Sequence, residues 1–158
     1  MMMRAYQEMY LDNAMKNLGD MLDYAINGLK YDPEDFFMQF INSGVSTQFE
    51  NGNPKYIAGL SGIELANAVI YRTEGRIPDP IDLLFCDKTK EYWAGWILAY
   101  YQWLSAHSFE YLYKHGLTMT KLFSMYGTLH EADVSKFVSI ADQIIAKSNI
   151  DAPEGRLR

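Results

Sequence analysis

An all-α fold is predicted by three observations. Apolar residues recur at helical spacing through most of the chain, helix-start signals precede several of these stretches, and no run alternates with the period of two that a half-buried strand requires. The densest stretch, residues 91–107, holds all three tryptophans. Trp93, Trp96, Tyr100 and Leu104 form one stripe on it, Tyr92, Ala99 and Trp103 a second, and Leu98 and Tyr101 a third. A helix apolar on every side belongs inside a bundle. The predicted architecture is a multi-helix orthogonal bundle of about six to eight helices around this central aromatic helix.

Residues 6–30 place Tyr10, Ala14, Leu18, Met21, Leu22, Ala25 and Leu29 on one face, which predicts a long amphipathic first helix with Gly28 weakening its last turn. Asp32-Pro33-Glu34-Asp35 opens a second: Asp32 is the N-cap, Pro33 takes the first helical position, and two acids meet the helix dipole. Phe36, Phe37, Phe40 and Ile41 form its buried face, and Gly44 is placed to end it. Residues 45–60 carry turn chemistry at Gly52-Asn53-Pro54 and are expected to form short helical turns. Ser61-Gly62-Ile63-Glu64 is a capping box that starts a third long helix closed by Gly75. Pro78-Asp79-Pro80 forces an extended connection, so residues 75–90 read as a surface loop. After the aromatic helix, Ser108 and Thr118 cap two short helices joined at Gly116-Leu117, the second expected to end near Tyr126. Thr128-Leu129-His130-Glu131 reads as a further capping box opening a last helix, with Val134, Phe137, Val138, Ala141, Ile144 and Ile145 inward. Residues 1–147 thus read as one helical domain, and residues 148–158 as a flexible tail or the start of a linker.

The chain has 158 residues, 49% of them hydrophobic and 22% charged, and a net charge of −6. That composition supports a packed core, and its mean field repels phosphate backbones and anionic lipid. A single cysteine, Cys86, suits a reducing compartment, so the chain is read as cytoplasmic. The N-terminus lacks the apolar segment of a secretory signal. The apolar run at 93–104 is too short for a bilayer, so no membrane association is expected.

Nothing in the chain has the spacing of a catalytic or metal-binding motif. His107, His115 and His130 fall on different elements and share no ligand spacing. Cys86 has no base beside it in sequence, and Gly59-Leu60-Ser61-Gly62 lacks the strand and lysine of a phosphate loop. No catalytic residue, cofactor or metal is expected. Residues 108–126 keep part of a helix-turn-helix pattern in Leu112, Gly116 and Leu122, which makes a DNA-binding transcriptional regulator the alternative reading. Lys121 is the one cation between Thr118 and Tyr126, which makes DNA a poor partner for this segment. Abundant tyrosine and the nine methionines suit a protein partner instead. Tyr92, Tyr101, Met119 and Met125, large side chains beside helix starts and turns, are the expected contact residues.

The strings Glu91-Tyr92-Trp93-Ala94-Gly95-Trp96, Gly116-Leu117-Thr118 and Leu129-His130-Glu131-Ala132-Asp133, with Asn53-Pro54-Lys55-Tyr56 and Ala58-Gly59-Leu60-Ser61-Gly62, carry a family likeness that extends over most of residues 6–147. On them the chain resembles an uncharacterised N-terminal all-α domain found upstream of lambda-repressor-like helix-turn-helix modules in anaerobic Gram-positive gut bacteria. The resemblance implies a non-catalytic interaction or sensor domain of a regulatory system, antitoxin-like, with an ADP-ribosyltransferase-like toxin as partner. The sequence ends at Arg158, where the linker of that arrangement would begin, so the DNA-binding module is expected to be missing.

Overall fold

The computed structural model describes residues 3–81 and 89–151. A 3-10 turn, Glu8–Tyr10, leads into α1, Leu11–Asp23, which continues without a break into a π-helical turn, Tyr24–Gly28. The predicted long first helix is therefore one rod whose last turn is widened, and Lys30 at φ 68° ends it. α2, Pro33–Asn42, begins at Asp32, whose side chain accepts from the Asp35 amide. Gly44, at φ 84°, turns the chain directly into α3, Val45–Glu50. A second π-helical turn, Lys55–Gly59, precedes α4, Gly62–Glu74, where both hydrogen bonds of the Ser61–Glu64 capping box form and Gly75 closes the helix. Then come α5, Lys90–Ser105; α6, Phe109–Lys114; α7, Met119–Leu129; and α8, Val134–Asp151. Among the described residues there is no strand, and the protein is an all-α, multi-helix bundle.

The centre is a pair of helices rather than the aromatic helix alone. α1 and α5 lie in intimate contact because Gly19 and Gly95 face each other across their crossing. A Cβ at Gly95 would stand 2.5 Å from the Leu18 carbonyl oxygen, and one at Gly19 would stand 2.8 Å from the Tyr92 carbonyl oxygen. α4 approaches α1 in the same way at its first residue, where a Cβ on Gly62 would meet the Met21 amide nitrogen at 2.7 Å. α5 is not enclosed all round: Trp96, Tyr100 and Leu104 are half-buried. Its C-terminal end is strapped by the N-terminal segment, where Ala5 donates to the Trp103 carbonyl at 3.0 Å and the Trp103 indole to Tyr6 at 2.8 Å. One aromatic cluster joins α2, α3 and α6 through Phe37, Phe40, Phe49 and Phe109, with ring centres 5.2–6.5 Å apart. Another joins α5, α7 and α8 through Trp93, Tyr101, Tyr126 and Phe137.

Two helix starts are capped from a distance. The Glu34 carboxylate on α2 accepts from the Thr120 amide and hydroxyl at 2.8 and 2.7 Å, the Met119 amide at 3.2 Å and the Tyr113 hydroxyl at 2.8 Å. Glu50 on α3 accepts from the Phe109 amide at 2.9 Å and so caps α6. Burial pushes the Glu34 carboxyl up, but the bonds from Thr120, Tyr113 and Met119 outweigh it and hold its pKa below the usual value. The stabilisation from ionised Glu34 is therefore present above the unfolded carboxylate range and is lost as the pH falls through the lower folded value. Glu34→Ala should cost about 1–2 kcal/mol at neutral pH, the loss of a strong cap, and less in acid. Thermal unfolding of both proteins across the acid range checks this.

The last two helices depart from the sequence reading. α7 runs past Tyr126 to Leu129, so Thr128 lies inside it and caps nothing. Leu129 is buried and His130 stacks on Tyr126 with ring centres 4.3 Å apart, contacts that a helix start at Thr128 would forfeit. The last helix is instead introduced by Asp133, whose carboxylate accepts from the Ser135 amide at 3.0 Å. α8 extends to Asp151, so residues 148–151 of the predicted tail are helical, while residues 152–158 lie outside the described residues, as does most of the second half of the predicted 75–90 loop. Gly127 stands on α7 with no atom within 4 Å of where its Cβ would be. Gly127→Ala should therefore stabilise the protein by about 0.5–1 kcal/mol through helix propensity, read as a higher denaturation midpoint at unchanged slope.

Candidate functional site

Three places concentrate chemistry. The first is a buried polar junction where the π-helical turn after α1 meets the start of α5. Asp23 and Glu91 are 4% and 5% exposed, so both carboxylates are taken out of water. Asn27 bridges them, its amide nitrogen lying 2.7 Å from Asp23 and 2.9 Å from Glu91. Thr89 donates to Asp23 at 2.7 Å while its oxygen caps α5 at the Tyr92 amide, and Lys90 pairs with Glu91 at 2.9 Å. Burial raises the Glu91 pKa, but the hydrogen bonds from Lys90 and Asn27 outweigh it, so the group is held below its usual value. Each carboxylate has its partners, and the widened turn places Asn27 where it can reach both. The junction ties two helices together.

The second is a cavity of about 450 Å³ between α5 and α7, lined by Tyr92, Trp93, Trp96, Tyr126 and His130. Residues 92, 93 and 96 share one side of α5, and residue 130, the C-cap of α7, lies one turn beyond residue 126. The His130 Nδ1 lies 2.7 Å from the Tyr126 carbonyl and donates to it, which fixes the imidazole beside the phenol ring. Trp93 meets Tyr126 edge to face at 5.9 Å.

The third is an open cleft of about 460 Å³ between α7 and α8. Its floor is Met125, Leu129, Ile140 and Ile144, and Lys121 and Lys147 stand at its rim. A second hollow of about 360 Å³ continues it past Lys121, Ile144 and Lys147 to Lys114 and His115 at the end of α6. Among the described residues neither Lys121 nor Lys147 has an ion-pair partner, and no carboxylate lines either hollow. Lys114 pairs with Glu110 at 3.2 Å, so Lys121 and Lys147 are the lysines left without an ion pair there, a local reversal of field on a chain of net charge −6. α7 is the common wall of the aromatic cavity and the cleft.

The four residues expected to reach the surface are all buried: Tyr92 is 8% exposed, Tyr101 3%, Met119 0% and Met125 8%. Tyr92 and Met125 nevertheless border the aromatic cavity and the cleft, respectively. Tyr101 instead donates its hydroxyl to Asp142 on α8, and Met119, the first residue of α7, packs in the core. The histidines are drawn together only in part. His107 and His115 stack on opposite sides of the Tyr111 sequence position at 4.2 and 4.0 Å between ring centres, and burial with the nearby His115 lowers the His107 pKa. Among the described residues no three His, Cys, Asp or Glu side chains converge on a metal-sized site, and Cys86 lies outside them. No helix among them is long and apolar enough to cross a membrane.

Comparison with models of known protein families, with curated proteins and with solved structures finds no match.

Proposed function

We propose that this chain is a non-catalytic protein-interaction domain of a cytoplasmic bacterial regulatory system, antitoxin-like, which holds an acidic and apolar segment of its partner in the cleft between α7 and α8. The observation that carries the reading is the pairing of an apolar floor, Met125, Leu129, Ile140 and Ile144, with Lys121 and Lys147 at the rim, neither of which has an ion-pair partner among the described residues. An amphipathic helix of the partner would lay large apolar side chains on that floor and set Asp or Glu against Lys121 and Lys147, the usual division between anchoring and steering contacts. The resemblance of the sequence to domains of toxin-linked regulators makes an ADP-ribosyltransferase-like toxin the partner to try first.

DNA binding through α6 and α7 is the weaker reading. A recognition helix presents its N-terminal residues to the duplex. Here the Met119 and Thr120 amides are occupied by Glu34, which places a negative charge at that end of α7.

The test is co-expression of the tagged chain with the products of its neighbouring genes. A stoichiometric complex is expected, with affinity falling about tenfold or more in the Lys121→Glu, Lys147→Glu double variant, because like charges then face each other. Both lysines are exposed, so the variant should keep the melting temperature of the parent within a few degrees. A complex indifferent to both reversals would sink the assignment of the cleft. Soluble neighbours that never bind, or tight duplex binding that falls steeply with salt, would sink the reading as a whole.

A further inference from the structure

The aromatic cavity between α5 and α7 stands apart from the cleft and calls for a different occupant. We infer that it is a binding site for a small molecule bearing a quaternary ammonium group, held by the rings of Tyr92, Trp93, Trp96 and Tyr126 with His130 beside them. Among the described residues, every side chain that lines it is aromatic, with no aliphatic residue and no Asp, Glu, Lys or Arg. A volume of about 450 Å³ lies within the range of small-molecule pockets, roughly 300–1,000 Å³.

The choice of a quaternary cation follows from what such a lining can and cannot supply. Aromatic faces carry the negative part of the ring quadrupole, and tryptophan, which contributes two of the five rings, attracts cations most strongly. A primary ammonium would have to give up its hydrogen bonds to water and would find only two phenol oxygens and one imidazole nitrogen in return. A trimethylammonium group has no N–H to satisfy, presents a broad apolar surface, and keeps its full charge. Anions are disfavoured by the same quadrupoles and by the chain's net charge of −6. The position of the walls is set by the fold: Trp93 is only 5% exposed and wedged against Phe137, and His130 is tied to α7 through the Tyr126 carbonyl. The cavity is thus held open by residues that have structural partners of their own, rather than by a surface waiting to collapse.

The experiment titrates the full chain with choline and, separately, with 3,3-dimethylbutan-1-ol, its uncharged isostere. The readout is the indole N–H resonances of the three tryptophans. Trp103, about 15 Å along the helix from Trp93, serves as the internal reference. Choline is expected to shift Trp93 and Trp96 saturably and to leave Trp103 in place, with the neutral isostere binding at least fivefold more weakly. Trp96 is half-buried, so Trp96→Leu should preserve the fold while weakening choline and sparing the isostere, which narrows the gap between the two. Circular dichroism and the melting temperature confirm that the variant is folded. Equal affinity for the two probes would overturn the inference and make the cavity a plain apolar pocket. So would unchanged Trp93 and Trp96 resonances with both probes at tens of millimolar.

Discussion

Gly95→Ala is expected to destabilise the protein by about 2–3 kcal/mol, even though alanine is the better helix former by about 1 kcal/mol. The added methyl would stand 2.5 and 2.7 Å from the carbonyl oxygen and carbon of Leu18 and 2.8 Å from the Gly19 Cα. All three are backbone atoms of α1, so no side chain can swing aside, and the two central helices must separate along the largest contact in the bundle. Parting them loosens the burial of Leu18, Leu22, Ala94 and Leu98, which are almost wholly enclosed. The check is urea denaturation of Gly95→Ala beside Gly127→Ala, the same substitution in open space. The two midpoints should move in opposite directions, and a Gly95→Ala midpoint at or above the parent's would refute the close-packed crossing.

Asn27→Ala is expected to cost about 3 kcal/mol at neutral pH, since one amide nitrogen donates to two buried carboxylates and bonds to charged groups contribute roughly 1.5–3 kcal/mol each. Its signature is the pH dependence. In the parent, the lowered folded pKa of Glu91 supplies stability that is present above the unfolded carboxylate value of 4.5 and is lost as pH falls through the folded value. Without Asn27 the Glu91 carboxyl loses a donor that opposed its burial, and its folded pKa rises. The difference between parent and variant should shrink as the pH falls from neutral through the folded Glu91 values in acid, read from paired denaturation curves. A constant difference would mean that Asn27 acts by packing rather than by holding the two charges.

The helix starts at Asp32, Ser61, Ser108 and Thr118 were legible because a cap is a local device: a side chain and an amide two or three residues apart decide it. Thr128 carried the same pattern and failed, because burial of Leu129 and the stacking of His130 on Tyr126 outweighed two hydrogen bonds available in either conformation to water. The π-helical turn at Tyr24–Gly28 had no sequence signal, since it is fixed by Asn27 reaching a glutamate 64 positions away. The caps supplied by Glu34 and Glu50 were hidden for the same reason.

By itself the sequence determined the all-α class, the order of the helices, most of their starts and the identity of the aromatic helix, because periodicity and capping act within one or two turns. Only the tertiary structure decided that α1 shares the centre with α5, which tryptophan and tyrosine side chains line a cavity, and that Lys121 of α7 and Lys147 of α8 meet along one cleft. Those outcomes depend on where two helices cross. A crossing is set by the fit of side chains, here by two glycines 76 positions apart, and spacing along the chain carries no record of it.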